Sequence, residues 1–216
     1  LTATGMLWSL ADRDSSPDTL HVVLSKLAYL AMDDRTEVRN CSVNTLFSCI
    51  VGLGDQFTDK QWKTCLVDTI FGILNGIASA IHQAGEKESR VNGSSNEERY
   101  KVAVHHSRNS AKKQWATSQI LVLRGLERVL RTFFTRLLEI LLSSSSNDDL
   151  WFLQTWKDIL QVSFDCAIIS GERETLDMRL TGVELIVLCA QLSSKAGIVA
   201  AGNSARVGTN MEVVGG

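Results

Sequence analysis

The residues best suited to chemistry gather in one place. Lys101, His105, His106, Arg108, Lys112 and Lys113 lead up to Gln114-Trp115, which sets positive charge beside an aromatic ring at the entrance to a helix. Such a cluster suits an acidic partner or an anionic membrane surface. Its position is unusual, because cations at a helix N-terminus oppose the helix dipole. Two readings stand. In one, the basic residues are solvated and Trp115 folds into the core. In the other, His105, His106, Arg108, Lys112, Lys113 and Trp115 form a docking patch.

Two arginines form a second constellation. Glu37-Val38-Arg39 is followed by Val43, Leu46 and Phe47, and Asp177-Met178-Arg179 by Val183, Ile186 and Val187, with identical spacing. In a structural reading each arginine sits in the first turn of a helix. It would pair with an acidic residue of a neighbouring turn, such as Asp34, and tie successive helix pairs together. In a functional reading the arginine is exposed and binds a ligand.

Other chemistries lack their residues. Gly52-Leu53-Gly54-Asp55 has neither the third glycine nor the preceding strand of a dinucleotide loop. Neither an HExxH pair nor a zinc ribbon occurs. His21 and His82 lie within expected helices, and no histidine falls in a recognisable nucleophile pattern. Cys41, Cys49, Cys65, Cys166 and Cys189 form no CxxC pair and read as free, buried thiols of a reducing compartment. Two matches to the glycosylation pattern, at Asn40 and Asn92, read as chance. No catalytic, cofactor-binding or metal-binding residue is assigned, and the expectation is a non-enzyme. A net charge of -2 gives no reason to invoke nucleic acid.

The elements that must position these residues are helical. Apolar residues make up 44% of the 216 and charged residues 21%, with one proline, against a usual proline share of ~5%. Pro17 after Ser16 marks a helix start, with Leu20, Val23, Leu24, Leu27, Ala28 and Ala31 on its apolar face. An acidic turn at Asp33-Asp34 opens a second helix over about 35–51, closed by Gly52-Leu53-Gly54 through the left-handed conformation glycine permits. Thr58-Asp59-Lys60-Gln61 is a capping box, and Trp62, Cys65, Leu66, Ile70, Ile73, Leu74, Ile77 and Ile81 recur at helical spacing behind it. Residues 85–108 are polar and read as a flexible loop. A long helix starts near Ser110, and its Gly125 marks a bend or a close helix approach. A serine linker follows at 143–146, then a helix with Trp151, Phe152, Trp156 and Ile159, and a last helix over about 174–192. An earlier helix is expected to end across Thr4 to Asp12, and the tail 195–216 to be weakly ordered. No run of about 18 apolar residues occurs, so no membrane span is expected.

Helix, short acidic turn, then a helix opening Val-Arg is the pattern of stacked helical repeats, in which one pair cannot bury its own face. The fold class expected is all-α: a HEAT/armadillo-like, right-handed superhelix of antiparallel hairpins over residues 1–194. Neither chain end reads as a natural boundary, which suggests a piece of a longer protein.

Asp33 to Arg39 through Thr45-Leu46-Phe47, with Gln61-Trp62 and Ile70-Phe71, resembles the helical repeats flanking the catalytic domain of large Arf guanine-nucleotide exchange factors. His105-His106-Ser107-Arg108-Asn109-Ser110-Ala111-Lys112-Lys113-Gln114-Trp115-Ala116, with Gln119 to Leu123, resembles more specifically the Mon-two (monensin-sensitivity) trafficking family. That resemblance implies a non-catalytic scaffold, cytoplasmic and peripheral at trans-Golgi and endosome membranes. It implies as partners a Dopey-type protein, an aminophospholipid flippase and an Arf-like GTPase, and no cofactor. The alternative is a regulatory helical segment of a true Arf exchange factor whose catalytic domain lies outside this chain. Nothing in the sequence resembles an exchange-domain glutamate loop.

Overall fold

The computed structural model describes residues 17–93, 110–143, 151–169 and 176–211, and these are helical apart from short turns. The expected helix end at Thr4 to Asp12 lies outside them. α1 (Pro17–Leu30) begins on its proline, as the sequence predicts. α2 (Thr36–Leu53) passes into a 3-10 turn at Gly54–Gln56. α3 (Asp59–Lys63) continues without a break through a π-helical stretch, Thr64–Ile70, into α4 (Phe71–Gly93). α5 (Ala111–Ser143) is the 33-residue spine, and α6 (Trp151–Ile168) and α7 (Leu176–Met211) complete the chain.

Local chemistry explains the boundaries. At the start of α3 the Thr58 backbone N–H donates to Gln61 Oε1 at 2.8 Å, and the Gln61 N–H donates back to Thr58 Oγ1 at 3.3 Å, the reciprocal cap the sequence signals. The end of α2 differs from expectation. Gly54 has φ -61° and ψ -28°, so no left-handed turn closes the helix. Glycine is required there for space, since a Cβ would lie 2.6 Å from Phe133 of α5.

Two stretches are more helical than their composition suggests. α4 runs to Gly93, into the segment expected to be a loop from residue 85. Glu86, Lys87, Glu88 and Arg90 are good helix formers, and a helix extended from a packed stem needs no apolar face of its own. α7 likewise runs through the expected tail to Met211. Residues 94–109 lie outside the described residues.

The helices stack in a regular way. Pairs in contact between α2 and α5 keep a nearly constant separation: Thr36 with Gln114 and Asn40 with Ser118 are both 78 residues apart, and Arg39 with Ser118 is 79 apart. A constant difference means parallel helices, whereas antiparallel helices would keep a constant sum. Asp59 and Arg136, 77 apart, carry the same register past the end of α2 with an exposed 2.8 Å ion pair. α1 folds back on α2, α4 on α5, and α6 on α7, and α7 also packs on α5. Hairpins whose second helices lie side by side and parallel form a helical-repeat stack, and the fold is all-α.

One hydrophobic core runs through the stack. Part of it is aromatic: the Trp62 ring lies 5.0 Å from Phe57 and 4.9 Å from Phe133, centroid to centroid. Glycines mark the closest approaches. A Cβ on Gly125 would clash with Phe47 Cδ2, and one on Gly182 would lie 2.6 Å from the Ser163 carbonyl oxygen. Of the two readings of Gly125, the structure shows the close approach.

By length and composition the continuous helix over Asp59–Lys87 is apolar enough to cross a membrane, which the search for apolar runs did not reveal. Between Asp68 and Glu86 it carries no charged carboxylate, lysine or arginine. Trp62, Leu66, Ile70, Ile73, Leu74 and Ile77 are nonetheless buried against other helices, as in any core helix of a packed stack.

Candidate functional site

The most elaborate polar arrangement surrounds Arg39, which is 0% exposed. Its position in the first turn of α2 directs it into the seam with α5. Nε donates to Ser118 Oγ at 2.7 Å, and Nη1 to the carbonyl oxygens of Asp33 at 2.6 Å and Asp34 at 3.3 Å. Nη2 reaches Thr36 Oγ1 at 3.3 Å, and the guanidinium carbon lies 3.7 Å from the centroid of Trp115. The Ser118 hydroxyl donates on to Asn40 Oδ1 at 2.7 Å, and Thr36 Oγ1 donates to Gln114 Oε1 at 2.9 Å.

This arrangement keeps the structural role of Arg39 but corrects its partner. Arg39 grips the backbone carbonyls of the Asp33-Asp34 turn rather than the Asp34 carboxylate. The Asp33 carboxylate is already taken, by the Arg35 Nε at 2.8 Å and backbone N–H at 2.9 Å. Those hydrogen bonds pull the Asp33 carboxyl down to about 2. Burial lowers the Arg39 pKa, and the charges of Asp33, Asp34 and Glu37 oppose that shift. A guanidinium stays protonated in proteins regardless. A buried cation held by carbonyls, hydroxyls and an aromatic face fixes geometry. It presents no open position to a ligand.

The basic cluster divides. Lys101, His105, His106 and Arg108 lie outside the described residues. Lys112 is exposed, Lys113 is half-buried, and Trp115 packs against the core with Arg39 on its face. Ser110 caps the helix weakly through the Lys113 N–H at 3.4 Å, and no acidic residue occupies the first turn of α5. The positive charge at that helix entrance is therefore not balanced from within its own first turn.

Arg179 is placed differently from Arg39. It stands in the same turn of α7 as Arg39 does of α2, yet it is exposed. The cysteines also separate. Cys49, Cys65, Cys166 and Cys189 are buried and Cys41 is exposed. Burial pushes the Cys49 and Cys65 thiols up to about 12 and the Cys166 and Cys189 thiols up to about 11. These four are unreactive packing residues. A shallow cleft of about 280 Å³ is lined by residues that include Leu20, His21, Phe57, Lys60 and Cys65.

Sequence reasoning missed Ser118, Gln114, Asn40 and Thr36, the residues that complete the Arg39 network. A signal for them existed. Thr36 and Asn40, and Ser110, Gln114 and Ser118, form i, i+4 rows of polar side chains along helices that are otherwise apolar at that seam.

The family described as the C-terminal region of Mon2 protein matches residues 13–174. Protein MON2 homolog from Xenopus laevis is 31% identical over 155 residues, covering 64% of this chain and 9% of the relative. The human Protein MON2 homolog is 30% identical over 155 residues with the same coverage. The Drosophila melanogaster homolog is 29% identical over 160 residues, covering 61% of this chain and 9% of the relative. The chain thus spans about 9% of the length of these relatives. No solved structure matches. With the family model covering residues 13–174, from α1 through α6, this chain belongs to the Mon2 family.

Proposed function

We propose that this chain is a non-catalytic, protein-binding segment of a membrane-trafficking scaffold. The observation that carries the reading is the seam between α2 and α5. Its largest polar investment, the Arg39 network, is spent on locking helices in register, which suits a scaffold that must hold a long surface in shape. Family membership supports the same reading. On it, the full-length protein works at trans-Golgi and endosome membranes from the cytoplasmic side. It links a Dopey-type protein and a flippase to an Arf-like GTPase. The docking patch is assigned to the entrance of α5, where Lys112 is exposed and Lys113 half-buried, together with His105, His106 and Arg108, which precede them in the sequence. Acidic groups on a partner would offset the repulsion between these cations and the helix dipole.

The test is charge reversal in the full-length protein: Arg108→Glu, Lys112→Glu and Lys113→Glu together. Recovery of the Dopey-type protein, or binding to anionic vesicles, should fall about tenfold or more, the loss of roughly 1.4 kcal/mol of binding. Unchanged recovery of every partner and unchanged vesicle binding, with helicity and melting temperature retained, would sink the patch. Absence of the full-length protein from Golgi and endosome membranes would sink the trafficking assignment itself.

A further inference from the structure

One face of α7 is apolar and uncovered. Leu176, Leu180, Val183 and Val187 are 59%, 51%, 47% and 49% exposed, and their i, i+4, i+7, i+11 spacing makes them a single stripe. A contiguous apolar row of this kind marks an interaction surface. The internal repeat identifies which surface it is. Aligning Arg179 with Arg39 places Leu176, Leu180, Val183 and Val187 on Thr36, Asn40, Val43 and Phe47. Those α2 residues form the face covered by α5. Thr36 bonds Gln114, Asn40 bonds Ser118, Phe47 fills the space over Gly125, and Val43 and Phe47 are 0% and 1% exposed.

We propose that the Leu180–Val183–Val187 stripe of α7 seats a further helix of the same polypeptide, parallel to α7, as α5 lies on α2. Two observations choose this occupant. Relatives of the chain are long enough to supply further repeats, since the matched stretch is 9% of their length. The stacking also joins unlike faces, so a second copy continuing the stack would have to offer the far side of its α2. On that side Ser42 and Cys49 are fully buried and Val38 and Thr45 half-buried within the chain itself. The incoming helix would bring a small side chain opposite Val187, as Gly125 lies opposite Phe47. It would bring a hydroxyl or carbonyl acceptor within reach of Arg179.

The experiment uses the full-length protein expressed from its own gene. A benzoylphenylalanine photo-crosslinker is placed at Val183 or, independently, at Val187, with Glu184 as the off-stripe control. Both stripe positions should crosslink within one polypeptide, to peptides outside these 216 residues, and Glu184 should not share that target. Crosslinks to a second copy, to a different protein or to lipid overturn the proposal, and so does the absence of any crosslink. If the crosslinker disturbs packing, Val187→Cys gives a second readout. Its maleimide labelling should be at least about tenfold slower than that of exposed Cys41, because a seated helix must open first. Equal rates overturn the proposal.

Discussion

Arg39 and Arg179 carry the same sequence signature and have opposite fates. Each follows an acidic residue and an apolar one, and each stands in the first turn of a stacking helix. Arg39 is sealed in a seam and Arg179 is exposed. The difference lies in the neighbour. α5 lies along α2 and supplies Ser118 and Trp115, and among the described residues no helix lies along the matching face of α7. In a repeat stack, burial is therefore a property of the next repeat as much as of the residue.

The sharpest way to break the comparison is at the apolar positions beneath the two arginines. Phe47→Ala should cost about 3–5 kcal/mol, the range for a buried aromatic truncated to leave a cavity. In the isolated 216-residue chain, where Val187 is uncovered, Val187→Ala should change stability by less than about 0.5 kcal/mol, as at other exposed sites. Chemical denaturation of both variants measures this, and equal losses would erase the distinction. Next come the arginines. Arg39→Ala strands the carbonyls of Asp33 and Asp34 and removes the donor to Ser118 Oγ, at a cost of about 2–4 kcal/mol. That corresponds to a fall in Tm on the order of 10 °C for a chain this size. Arg39→Lys should not restore it, because an ammonium cannot match the forked contacts. In the isolated 216-residue chain Arg179→Ala should leave Tm within about 2 °C.

Smaller effects probe the same contrast between sealed and open positions. In the native protein a thiol reagent should label Cys41 promptly, and Cys49, Cys65, Cys166 and Cys189 only on unfolding. Two or more fast thiols would mean that the stack is open. At the turn beside Arg39, the Asp33 carboxyl is held at about 2 against an ordinary 3.8 by its bonds to Arg35. A depressed folded-state pKa stabilises the protein above the unfolded value, and that stability is lost as pH falls from about 4 toward 2. Carboxyl NMR should place the Asp33 midpoint near 2, and Asp33→Asn should flatten the acid limb of the stability curve.

How much of this was legible in the sequence differs from one residue to the next. Helix positions followed from the 3.6-residue recurrence of Leu, Ile, Val and Phe, and the Thr58 cap and Pro17 start were written in local chemistry. The likeness of Arg39 to Arg179 was also visible. Their different burial was not, because it depends on which helix 78 residues away comes to lie alongside. Asp34 was misread as a carboxylate partner for a related reason. A turn tight enough to open α2 aims its backbone carbonyls at Arg39, and the nearest carboxylate is claimed by Arg35. The helix beyond Gly85 was missed because polarity was equated with loop, although Glu, Lys and Arg favour helix wherever a packed stem precedes them.

The central claim is the parallel register of α2 and α5, and the Phe47–Gly125 contact tests it most directly in a double-mutant cycle. Gly125→Ala alone drives a methyl into the Phe47 ring and should destabilise the protein by about 1–3 kcal/mol. Combined with Phe47→Leu, the added methyl finds room. The two losses should then fall short of additivity by about 1–2 kcal/mol, the coupling expected of residues in direct contact. Losses that add to within about 0.5 kcal/mol, the behaviour of distant sites, would contradict the register and the repeat stack built on it.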